Sequence, residues 1–224
     1  PGHQVPTGVT MSSARRRQLL EHAARHDAVI IEDDYDSESN FTLNPLPALK
    51  ASDRSGRVVY VSSLSKALSP GLRLGFMVAD PDLIDEARAL RRLVYRHPPT
   101  NIQYQMAHFL AQGHYETHLR RYHYDSAQRW ERLHAALQRY LPSCRALAGS
   151  EHANAFWLQT PAQINTQQLT WRAAHAGVLI EPGARHFLNA APPDNYFRMG
   201  FHAINPDAIA QGVEVLRGQL EQMG

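Results

Sequence analysis

VSSLSKALSPGLRLGF, Val61 to Phe76, is the stretch on which the fold turns. It continues a β-branched run, Val58-Val59-Tyr60-Val61, that has no polar alternation, as a parallel strand covered on both faces requires. The run breaks into serines and a lysine, then into Pro70-Gly71, after which Leu72 to Val78 reads as another strand. Upstream, Ala28-Val29-Ile30-Ile31 repeats the pattern and ends abruptly in the acidic cluster Glu32-Asp33-Asp34-Tyr35-Asp36. Before it, Ser12 or Ser13 can cap a helix running to about Ala24, with Leu19, Leu20 and Ala23 as its apolar face. Strands alternating with helices predict an α/β architecture, a mostly parallel sheet with flanking helices, and such sheets hold ligands beyond their strand ends. Both polar clusters lie at such ends.

From Pro81 the pattern becomes helical. Pro81 and Asp82 start one helix, His97-Pro98-Pro99 stops it, Asn101 to Gln112 forms a second, and His114 to Tyr140 a long third that ends before Pro142. Trp130, Leu133 and Leu137 on that helix read as core. Residues 143 to 151 read as a loop. Beyond it, Ala155 to Leu158, a helix near Thr166 to Ala176, Val178-Leu179-Ile180, Tyr196 to Met199 and a helix from Pro206 suggest a small α+β domain. The expected organisation is therefore 1–142, part of a large domain with its long helix, and 143–224, a small C-terminal domain. The start at Pro1, in a turn and without methionine, suggests that an N-terminal part of the large domain is missing.

Composition narrows the function classes. The 224 residues are 43% hydrophobic and 20% charged, and no apolar run approaches the roughly 20 residues a membrane helix needs. A net charge of +2 gives no chain-wide argument for nucleic acid or anionic lipid. The single cysteine, Cys144, cannot form an internal disulfide, which favours a reducing cytoplasm. Lysine occurs only at Lys50 and Lys66, the other basic side chains being arginine and histidine. A lysine inside a serine-rich strand end is thus conspicuous.

An amine that attacks an aldehyde must be neutral, and burial or nearby cations lower a lysine's pKa to allow it. Ser63, Ser65 and Arg73 around Lys66 suit a phosphate dianion, since hydroxyls donate and a guanidinium binds two oxygens at once. Taken singly, Lys66 reads equally as a solvated loop residue and Arg73 as a surface cation. The acidic cluster has alternatives too, a solvated turn or a divalent-cation site, but no second ligand cluster lies nearby. A pyridoxal 5′-phosphate (PLP) reading gives all these groups work. A carboxylate keeps the pyridine nitrogen protonated, so that the ring is an electron sink. A tyrosine hydroxyl can bond the phenolate oxygen.

In this light the sequence resembles fold-type I aminotransferases, and more narrowly the aminotransferase-like domain of MocR/GntR-type transcriptional regulators. The resemblance rests on PGHQVPTGVTMS (1–12), IIEDDYDSE (30–38), PLPALK (45–50), VYVSSLSKALSPGLRLGFMVA (59–79), RHPPTNIQ (96–103), GHYETHLRR (113–121) and NYFRMGF (195–201), in collinear order over nearly the whole chain. It implies Lys66 as the Schiff-base lysine, Asp33 as partner of the pyridine nitrogen and Tyr35 at the phenolate oxygen. It implies Ser63, Ser65 and Arg73 at the phosphate, and Arg198 as the clamp on the α-carboxylate of a substrate or effector. It further implies a homodimer that binds an amino acid or amine and meets DNA only through a winged-helix domain outside this chain. A class I/II aminotransferase that turns over is the alternative.

Two departures accompany the resemblance: Val5 stands before the Pro-Thr-Gly turn where many relatives have asparagine or an aromatic residue, and Ser39 to Asn44 lacks the usual Phe-Arg-Tyr character. His114 and His118, four apart, read as a solvated helix face rather than a metal pair. Arg88, Arg91, Arg92, Arg96, Arg120 and Arg121 read as salt-bridging or dimer-surface groups.

Overall fold

The β-branched run at 58–61 becomes the central strand of a three-stranded sheet in the computed structural model, which describes residues 1–41, 45–147 and 154–224. By compactness the chain forms two units, one of Pro1–Gly2 with Met11–His123 and one of His3–Thr10 with Tyr124–Gly224. They part inside the long helix, short of the expected boundary at 142/143, because the second half of that helix contributes Leu133, Ala136 and Leu137 to a buried core.

In the first unit, α1 (Ser13–Arg25) is capped by Ser12, whose side chain accepts from the Arg15 N–H. Of its expected apolar face only Ala23 is buried, Leu19 and Leu20 being at least partly exposed. Arg16 is buried instead, because its guanidinium donates to the Met11 carbonyl at 2.9 Å and to the Pro47 carbonyl. β1 (Ile30–Asp33) pairs parallel with β2 (Val58–Ser63), and β2 pairs antiparallel with β3 (Gly75–Val78). Between them lies α2 (Leu49–Ser52). The expected third strand begins three residues late, since Pro70–Leu72 forms a tight helical turn that Arg73 leaves in the left-handed region. α3 (Pro81–Tyr95), α4 (Thr100–Ala111) and α5 (His114–Tyr140) follow, with Asp80 capping α3.

In the second unit a four-stranded antiparallel sheet has the order β4-β5-β7-β6, from β4 (Arg145–Ala146), β5 (Ala155–Gln159), β6 (Glu181–Pro182) and β7 (Tyr196–Gly200). One face is core: Phe156, Leu158, Phe197 and Met199 are all buried. α6 (Thr166–His175) and α7 (Ile209–Glu221) complete it, α7 burying Ile209, Val213, Leu216 and Leu220 at helical spacing. Val178-Leu179-Ile180 is not a strand. The Val178 N–H closes the end of α6 on the Ala173 carbonyl, Leu179 is exposed, and pairing starts only at Glu181. The departure at Ser39 to Asn44, and the loop read at 143 to 151, lie partly outside the described residues.

Candidate cofactor and ligand site

Each member of the acidic cluster is held differently, which separates structural carboxylates from available ones. Glu32 is buried and caps α2, accepting from the Leu49 N–H at 2.6 Å and the Lys50 N–H at 2.8 Å. Asp34 is tied to the strand end: its N–H donates to the Val61 carbonyl, its carbonyl accepts from Ser62 Oγ at 2.9 Å, and its carboxylate accepts from Tyr60 Oη at 3.0 Å. Burial, reinforced by the Asp34 carboxylate, raises the Tyr60 pKa. Asp33 is exposed, and its register partner Val61 puts it on the open side of the sheet. That leaves Asp33 open to solvent, while Asp36 pairs with Lys66.

Lys66 sits just past β2, in a turn closed by the Leu68 N–H on the Leu64 carbonyl. Its Nζ lies 2.8 Å from Asp36 Oδ2 and 4.6 Å from the centre of the Tyr35 ring. The side chain is 38% exposed, so a solute can reach it, whereas Asp36 keeps 15%. The pairing of Lys66 with Asp36 had no counterpart in the sequence reading. Ser63 Oγ accepts from the Ser65 N–H at 3.2 Å, which orients the two serines around the turn. Arg73 is exposed and adopts φ 47°, ψ 40°, a conformation costing a side-chain-bearing residue roughly 1–2 kcal/mol.

Arg198 lies in the second unit, on β7 between Trp157 of β5 and Glu181 of β6, which are its direct partners across the sheet. Residues directly opposite in antiparallel strands share a face, so these three groups stand together. Arg198 donates to Glu181 Oε2 at 3.2 Å. Oε1 of the same carboxylate meets Arg185 at 3.4 Å and His186 Nε2 at 3.3 Å. Trp157 stacks on Tyr196 with ring centres 5.6 Å apart. Gly183 makes this possible: a β-carbon there would lie 2.6 Å from both the Trp157 ring and Tyr196 Cβ.

Among the described residues no group of three or more His, Cys, Asp and Glu could hold a metal ion, and none of the helices is long and apolar enough to cross a membrane. Burial pushes the Cys144 thiol up to about 11, too high for a thiolate nucleophile at neutral pH. His118 does not lie on a solvated face; its Nε2 is 2.7 Å from the Ala67 carbonyl.

The mixed α/β architecture, with a reachable lysine just past a strand end, is that of the fold-type I PLP-dependent proteins. The chain belongs to the aminotransferase class I and II family, whose model matches residues 3–216. It is 39% identical over 213 residues to the HTH-type transcriptional regulator TauR of Rhodobacter capsulatus, covering 94% of this chain and 43% of the relative. It is 34% identical to the probable rhizopine catabolism regulatory protein MocR of Rhizobium meliloti, over 97% of this chain and 44% of that one. Among solved structures, kynurenine aminotransferase of Pyrococcus horikoshii in complex with PMP superposes with a TM-score of 0.88 at 28% identity, covering 99% of this chain and 55% of that one. The chain thus spans about half the length of the proteins it matches. Family membership implies pyridoxal phosphate as cofactor, and the donor set fits it: a reachable amine, hydroxyls and a guanidinium near one strand end, and an open carboxylate.

Proposed function

We propose that the chain is the aminotransferase-like, effector-sensing domain of a MocR-type transcriptional regulator, binding PLP and an amino acid or amine. The likeness to two regulators over more than nine-tenths of the chain carries this reading. When bound, PLP supplies an aldehyde that captures amines and a ring that withdraws electrons. Lys66 provides the protein's own amine to the cofactor, Asp33 holds the proton on the ring nitrogen, and Tyr35 faces the phenolate oxygen. Ser63, Ser65 and Arg73 bind the phosphate. Arg198 takes the ligand's carboxylate with the N–H donors that Glu181 leaves free. Binding then shifts the balance between conformations of a homodimer. DNA contact belongs to a winged-helix segment outside these residues, and the functional division is 1–142 and 143–224.

Adding PLP to the longest native form of the protein should produce a visible absorbance band, trapped by borohydride as a covalent adduct on Lys66 and lost in Lys66→Ala. Absence of the band in the intact protein would sink the cofactor reading. Arg198→Ala should keep the band and weaken amino-acid binding about 10-fold or more, as loss of a charge-assisted pair does; unchanged binding removes Arg198 from the site. The structural likeness to an aminotransferase favours a second reading, a transaminating enzyme. Steady production of a 2-oxo acid from an amino acid, abolished in Lys66→Ala, would select it.

A further inference from the structure

The turn bearing Lys66 and the loop bearing Asp36 are about thirty residues apart in sequence, yet both are fastened to α5. The Nε2 of His118 is 2.7 Å from the carbonyl oxygen of Ala67, the residue after Lys66. The Nε2 of His123 is 2.8 Å from the carbonyl of Glu38, two residues after Asp36. A carbonyl oxygen only accepts, so each ring carries its proton on Nε2 and donates. Neither bond belongs to regular backbone pairing, and both histidines are partly buried. Ala67 is itself buried, which seats the turn against the helix. The two anchored loops meet in the 2.8 Å contact between Lys66 Nζ and Asp36 Oδ2.

We infer that His118 and His123 are positioning residues, which fix the lysine turn and the acidic loop to one rigid helix and so set the spacing of Lys66 and Asp36. The significance of that spacing rests on the reading of Lys66 as the cofactor's amine; the anchoring itself does not. A helix suits the task because side chains along it keep fixed separations, whereas two exposed loops would drift. Glutamine in place of histidine keeps a donor at similar reach, and alanine removes it.

Lys50, the one other lysine of this sequence, gives the measurement on Lys66 an internal reference. Brief labelling of the cofactor-free protein with acetic anhydride, read by mass spectrometry, gives the ratio of Lys66 to Lys50 acetylation. His118→Ala and His123→Ala should each release Lys66 from Asp36 and raise that ratio roughly fivefold, the effect of losing one partly buried hydrogen bond. His118→Gln and His123→Gln should restore it. An unchanged ratio in the alanine variants, or failure of glutamine to restore it, overturns the inference. Should an alanine variant unfold, seen as faster labelling of Lys50 as well, the glutamine variant decides: a native ratio supports donation and a raised one refutes it. Since no cofactor is added, failure here is distinct from failure of the PLP reading. With PLP present, the alanine variants should also trap less cofactor on Lys66 at limiting concentration.

Discussion

The two sheets of this chain differ in how much of their apolar surface the chain itself covers. In the second unit the sheet hides its apolar side chains, with Phe156 and Phe197 fully buried and Leu158 nearly so. In the first unit Ile31 is 72% exposed, Phe76 and Val78 close to half, and α3 buries none of its residues. Polar ties order the loops of the unit bearing Lys66: Glu32 holds α2, Asp34 the strand end and Asp53 its loop, while His118 and His123 reach out from α5. Ties of that kind fix individual atoms rather than whole faces.

That contrast can be broken experimentally. Phe197→Ala should be the most damaging change, removing about 3–5 kcal/mol and lowering the melting temperature by roughly 10 °C, whereas Phe76→Ala should cost under about 1 kcal/mol. Equal effects of the two in a calorimetric scan would erase the distinction. Glu32→Ala strands two backbone N–H groups at the start of α2 and should cost about 1–3 kcal/mol, a loss that Glu32→Gln only partly repairs. A cost near zero would show that α2 needs no cap.

Asp53 gives a pH test. Burial alone would raise its pKa, but bonds from the Val58 N–H, the Ser55 N–H and hydroxyl, and Lys50 outweigh burial and hold the carboxyl well below the usual range. A depressed folded-state pKa stabilises above the unfolded value, and that stability is lost as pH falls below the ordinary 3.8. Asp53→Asn should therefore be less stable than the parent at pH 7, with the gap narrowing steadily as pH falls below 3.8 toward the depressed folded-state value, measured by chemical denaturation; a constant gap would contradict the linkage. The smallest effect is expected at Leu93, 84% exposed, where serine should change stability by no more than about 0.5 kcal/mol.

Much of this was legible because its cause is local. β-branched runs announced β1 and β2, prolines and a serine cap marked helix ends, and Asp33 to Asp36 and Ser63 to Lys66 are clusters within the sequence itself. What escaped depends on distant partners. Arg16 is buried through the Pro47 carbonyl, 31 residues along the chain, a partner that no local pattern marks. His118 looked solvated because nothing nearby names Ala67. Glu181 meets Arg198 only through β6 beside β7, a strand too short to show any periodicity.

Gly183 deserves a last consequence. With Trp157 and Tyr196 closed over the space a β-carbon would fill, position 183 is a place where even the smallest enlargement, to alanine, is a large substitution. In a library of variants of this face, changes should accumulate at Arg185 and His186, whose side chains can be exchanged without reshaping the backbone, while position 183 stays silent.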